Sequence, residues 1–212
     1  MKKYFASFLL IALMSCIVAL PAYTETDDGK TSYMKKEVEL RLKMRELFTN
    51  YLVWQRIYAS SILSGAGATD MNNAGTRLAN SQNGIANAFR PFYGEETGNQ
   101  LAFLLNQYTQ LLTEYADIVK RDGDKSDITQ RIRENSDITG ELLNRINMNW
   151  PGNEISGKLI KYYDLLGVEI SYQGKHYGSI DVNALDATFY QGMLIADTLT
   201  FGIVKHHPGK FW

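Results

Sequence analysis

Cysteine is almost absent from this chain, since Cys16 is the only one among 212 residues. No disulfide can form within a single chain that has one thiol, so the fold must be held by its core. Histidine is nearly as scarce, and no Glu-x-x-His pair of the kind that binds a di-iron centre in a helical bundle occurs. We therefore expect no metal site and no cofactor.

An excess of charge of one sign is also missing. The chain has 22 Lys and Arg against 23 Asp and Glu, and the charges are interspersed. A nucleic-acid partner would require a basic surface stripe, so we expect no nucleic acid to bind. The Gly-x-Ser-x-Gly elbow of serine hydrolases and the glycine-rich phosphate loop with its lysine are absent as well.

The first 22 residues have the pattern of an export signal. Lys2 and Lys3 precede an apolar run over residues 5–20, and Pro21 and Ala22 end it before a polar stretch. This pattern predicts a signal peptide over residues 1–22 and a protein that is secreted, to the periplasm or the exterior.

Two further expectations concern the start of the chain. Leu13-Met14-Ser15-Cys16 has the outline of a lipobox, so the alternative is a lipoprotein anchored through Cys16, the only route we foresee to a membrane. Residues 23–32 are polar and predict a flexible lead. Residues 33–212 then form a single helical-bundle domain.

Apolar residues recur at helical spacing along that domain, and no alternating strand pattern appears. Gly65-Ala66-Gly67, Pro91 and Asn149-Trp150-Pro151 interrupt the pattern at predicted turns. The sequence predicts an all-α fold, an antiparallel bundle of about six helices. The predicted helices cover about residues 33–64, 69–89, 95–121, 126–146, 155–170 and 182–203.

Polar and aromatic residues on the helices are the candidates for function. Asn80 and Asn87 belong to a polar stripe that also contains Asn73, Arg77 and Gly84. Tyr51 and Tyr108 lie on core stripes. A tyrosine–asparagine network facing inward could line a ligand cavity, whereas the alternative is a stripe that faces water. Tyr51, Trp54 and Tyr108 could form one cluster beside this polar stripe.

Two segments resemble a family of uncharacterised, exported bacterial helical-bundle proteins. The segments are Asn80 to Leu101, which contains Asn-Ala-Phe-Arg-Pro-Phe-Tyr-Gly-Glu-Glu-Thr-Gly-Asn, and Ala196 to Lys205, which contains Ala-Asp-Thr-Leu-Thr-Phe-Gly-Ile-Val-Lys. Trp54-Gln55-Arg56 and Asn149-Trp150-Pro151 also fit. The resemblance implies an all-helical fold but no established activity, although some members are labelled glycosyltransferases.

The resemblance also bears on metal binding. Relatives often have histidine where this chain has Tyr51, Tyr108 and Phe189. A protonated tyrosine binds metals poorly and phenylalanine cannot bind them, so we expect no such role here.

The function we expect is non-enzymatic binding of a small ligand or a protein partner, with Asp197 added to the candidate site. The alternative is a hydrolase or transferase that uses Asp197 or Asp186 as its general base. An enzyme would need a cleft with a convergent carboxylate, whereas a binding or structural bundle can be packed solid.

Overall fold

The structure is a computed structural model that describes residues 29–175 and 178–211, with side chains from 35–175 and 182–211. It is all-helical over those residues. The helices are α1 (Gly29–Ser64), α2 (Ala68–Lys120), α3 (Ser126–Ile146), α4 (Gly152–Gly174) and α5 (Gly178–His206), followed by a 3-10 turn at Pro208–Lys210. The predicted signal peptide and lipobox lie outside the described residues. The helix α1 begins four residues before the predicted domain start.

The described residues form five α-helices where the sequence predicts about six, because a single residue replaces the expected linker. Gly94 interrupts α2 with φ 86° and ψ 170°, a left-handed conformation that favours glycine. The Gln82 side chain nevertheless donates a 2.7 Å hydrogen bond to the Leu105 carbonyl, although a straight helix would separate these residues by about 35 Å. The two arms of α2, residues 68–93 and 95–120, therefore fold back on each other at Gly94.

The helices enclose one core in a closed ring. Each helix packs on the next along the chain, and α5 returns to pack against α1. The buried side chains come from all five helices and include Met44, Phe89, Leu112, Ile128, Leu166 and Ile203. Within the described residues, no helix is long and apolar enough to cross a membrane.

Trp150, in the connection between α3 and α4, fixes that connection to α5. Its side chain is fully buried, and the indole Nε1 donates to the Thr198 carbonyl over 3.1 Å. Asn147 adds hydrogen bonds from its amide to the Gly202 carbonyl, at 2.8 Å, and to the Tyr93 hydroxyl, at 2.9 Å. The predicted turn is thus attached to α5 through two buried side chains, Asn147 and Trp150.

Candidate functional site

A cluster of four buried tyrosines occupies the centre of the bundle. Tyr51 comes from α1, Tyr108 from α2, and Tyr162 and Tyr163 from α4. The Tyr108 and Tyr163 rings stack with their centroids 3.7 Å apart, and Tyr162 packs edge-on against Tyr163 at 5.1 Å. All four positions belong to the apolar stripes of their helices, which is why folding brings them together.

These hydroxyl groups are held in their neutral form. Burial raises the pKa of all four tyrosines above the ordinary value, and the neighbouring tyrosines raise it further for Tyr51, Tyr108 and Tyr162. The Tyr162 hydroxyl donates to the Gln55 side-chain oxygen. The Tyr51 hydroxyl makes no hydrogen bond of normal geometry, although Gln82 and Tyr163 lie nearby. Phenols in this state do not serve as acids or bases near neutral pH.

One buried carboxylate near this cluster escaped the sequence analysis. Glu169 on α4 has 1 % of its side chain exposed and forms an ion pair with Arg56 on α1, whose side chain is 27 % exposed. Gln173 donates to the same Glu169 oxygen over 3.4 Å. Its position offered a signal, since Glu169 follows the core residue Leu166 by three positions and precedes Ile170. This buried ion pair therefore connects α4 to α1.

A small void lies in the interior beside the tyrosines. Its volume is about 40 Å³, and Tyr51, Tyr162 and Tyr163 border it together with apolar side chains of α1 to α5. Cavities that admit a ligand as small as benzene are nearer to 150 Å³. The void is therefore too small for an organic ligand.

The asparagine stripe of α2 points away from this void. Asn73, Arg77, Asn80 and Asn87 are exposed, and Gly84 is half-buried. Of the two arrangements that the sequence allowed, inward-facing and water-facing, the structure has the water-facing one. The stripe therefore lies apart from Tyr51 and Tyr108. Within the described residues, the asparagines of this stripe therefore form no inward network with Tyr51 and Tyr108.

Trp54 belongs to the surface stripe rather than to the tyrosine cluster. It is half-buried on α1, and the Arg77 guanidinium carbon lies 5.9 Å from the centroid of its ring. A guanidinium at this distance is attracted to the face of an indole. The predicted cluster of Tyr51, Trp54 and Tyr108 is therefore divided between the core and the surface.

Asp197 on α5 is neutralised by two arginines of α1. Its carboxylate accepts hydrogen bonds of 2.9 and 2.7 Å from Arg41 and of 2.8 and 2.6 Å from Arg45. These bonds hold the pKa of the Asp197 carboxyl well below its ordinary range. Four accepted bonds fill the capacity of a carboxylate, so Asp197 is poorly suited to take a proton from a substrate. Asp186, the other candidate base, is exposed on α5.

No protein family, curated protein or solved structure matches this chain.

Proposed function

We propose that this protein is an exported, non-enzymatic binding protein, and that the outer face of the first arm of α2 binds a protein partner. The observation that carries the proposal is the exposed asparagine stripe, formed by Asn73, Arg77, Asn80 and Asn87. A second observation supports it, because the void of about 40 Å³ among the tyrosines is too small for an organic ligand.

Asparagine is an unfavourable choice for these positions if only the fold matters. In an exposed helix it costs about 0.6 kcal/mol relative to alanine, because its amide competes with the backbone for hydrogen bonds. Asn80 and Asn87 are exposed, so burial does not compensate for this cost. Residues that reduce stability without a structural return are commonly kept for binding.

The chemistry of the stripe defines the partner. Amide side chains both donate and accept hydrogen bonds, and Arg77 adds one positive charge. No acidic residue occurs between Met71 and Phe89. From Asn73 to Asn87 the stripe extends about 21 Å along a convex helix surface, which fits an extended protein segment better than a small molecule. The partner surface we expect is polar, uncharged or weakly acidic.

The detailed architecture belongs to the same proposal. We propose that the bundle is antiparallel and that it consists of six helices if the two arms of α2 are counted separately. The reversal of α2 at Gly94 and the short connections between the other helices support this arrangement.

Alanine at Asn80 and Asn87 tests the function. We expect the double variant Asn80→Ala, Asn87→Ala to lose partner binding while its free energy of unfolding rises by about 1 kcal/mol, because alanine is the better helix former. Denaturant unfolding measures the stability. Chemical cross-linking in the exported fraction, followed by quantitative mass spectrometry, measures the partner.

Asn106→Ala is the matched control, since Asn106 is an exposed asparagine on the other arm of α2. It should retain the partner. Equal capture by the wild type and the double variant would contradict the proposal, and so would a loss of stability in the double variant, which would make the asparagines structural.

A further inference from the structure

An exposed apolar surface lies where α1 and α5 meet, on a different side from the asparagine stripe. Within the described part of the chain, eight of the twelve exposed large hydrophobic side chains belong to these two helices. Five of them make up what we call the α1/α5 face, and their exposed fractions run from 38 % to 68 %. They are Val38, Leu42, Tyr190, Leu194 and Phe201.

The spacing of these residues is that of helix-packing surfaces. On α5, Tyr190, Leu194, Asp197 and Phe201 follow one another at intervals of four, three and four residues, so they lie on one side of the helix. On α1, Val38, Leu42 and Arg45 repeat the first two intervals. Because Arg45 bonds Asp197, the two stripes lie side by side with the ion cluster between them.

The ion cluster at the centre of the face is already satisfied. All four hydrogen bonds that the Asp197 carboxylate can accept come from Arg41 and Arg45. Another protein surface could cover this cluster and leave every carboxylate oxygen of Asp197 with a partner. The usual penalty for burying a charge comes from groups that lose their partners, and it does not arise here. Glu37 lies close enough to Arg41 to interact with its charge. Two arginines and two carboxylates therefore make the centre neutral.

We propose that a second copy of this chain covers the α1/α5 face and that the protein is a twofold dimer. A standard interface buries about 800 Å² on each partner, of which about 60 %, roughly 480 Å², is apolar. Given their exposed fractions, the five side chains supply on the order of 500 Å² of apolar surface. The face is thus large enough for a stable dimer.

The charge balance favours a second copy over other occupants. A nucleic acid or an anionic membrane would be attracted by an excess of positive charge, and this face has none. A neutral face with both signs is complementary to itself, since in a twofold dimer α1 of one copy can lie on α5 of the other. Arginine N–H groups that do not bond Asp197 remain available to Glu37 of that copy.

The test is the oligomeric state of the exported protein and of two matched variants. Sedimentation equilibrium from about 1 to 200 µM should show a monomer–dimer equilibrium for the wild type. Phe201→Asp should weaken dimerisation by roughly thirtyfold or more, because it places an unpaired carboxylate in the interface. Phe103→Asp is the control, since Phe103 is 62 % exposed against 64 % for Phe201 but lies on α2.

Thermal unfolding shows that both variants fold, which their exposure leads us to expect. A wild-type monomer throughout the concentration range would overturn the proposal. Equal weakening by the two variants, or none by Phe201→Asp, would also overturn it. Because this face does not include the asparagine stripe, Phe201→Asp should leave the proposed partner binding at Asn80 and Asn87 intact.

Discussion

Single residues decide how tightly this bundle closes, and Gly202 is the clearest case. A Cβ atom at Gly202 would lie 1.8 Å from the Trp150 indole Nε1. The Trp150 side chain is fully buried and its indole N–H is hydrogen-bonded to the Thr198 carbonyl, so the ring cannot move aside. We expect Gly202→Ala to lower the free energy of unfolding by about 3 kcal/mol, as measured by urea denaturation.

Gly157→Ala is the matched control for this prediction. Gly157 lies within α4, and an added Cβ would meet no atom within 4 Å. Alanine there should raise the free energy of unfolding by up to about 1 kcal/mol, since it is the better helix former. If the two variants differ little in stability, the close contact between Gly202 and Trp150 is not as the structure shows it.

The sequence predicts core positions better than it predicts their partners. The periodicity of α1 and α2 places Tyr51 and Tyr108 on apolar stripes, and both are buried. The pairing of Arg56 with Glu169, 113 residues apart, depends on how α1 and α4 pack, which local spacing does not encode. For the same reason the pattern of Asn80 and Asn87 could not tell an inward face from an outward one.

Among the elements, α2 shows how local residue types set the architecture. Pro91 and Gly94 predict a break in this helix. The structure reverses the chain direction at Gly94, and this single residue has non-helical φ and ψ angles within α2. Sequence reasoning therefore located the corner but counted the arms as two helices. The existence of the long helices followed from periodicity, whereas the form of the corner depended on one backbone conformation.

A substitution at Gly94 tests the corner. We expect Gly94→Ala to lower the free energy of unfolding by about 1 to 3 kcal/mol, because φ 86° is strained for any residue with a Cβ. The cost would come from the backbone alone, since an added Cβ meets no atom within 4 Å. Chemical denaturation measures it, with Gly157→Ala as the control. No loss in Gly94→Ala would mean that the corner has a different conformation.

On the scale of the whole molecule, the five helices close around a centre that is aromatic and polar rather than purely aliphatic. Four tyrosines share this centre with Gln55, and Glu169 lies on the same side of α4. The surrounding helices bury all of these side chains in the folded state. Helical periodicity predicts which residues lie on each core stripe, but the stacking of Tyr108 on Tyr163 exists only once α2 and α4 have packed.

This closure makes stability depend on pH on the alkaline side. The unfolded tyrosines ionise near pH 10, whereas burial raises the pKa of Tyr51, Tyr108, Tyr162 and Tyr163 well above that value in the folded state. The stability they contribute is fully present below pH 10 and is lost as pH rises further, since the unfolded state then binds fewer protons. If all four take part, the slope is about 5 kcal/mol per pH unit.

Two spectroscopic signals check this prediction. Phenolate absorbance of the four buried tyrosines should appear together with the loss of helical circular dichroism, in one cooperative step above pH 10. Tyr51→Phe should make that step less steep and move it to higher pH. Tyr190→Phe is the control, and it should leave the loss of helical circular dichroism at the same pH, because Tyr190 lies outside the buried cluster. Phenolates from all four tyrosines in a protein that is still helical would mean that the centre of the bundle is open to water.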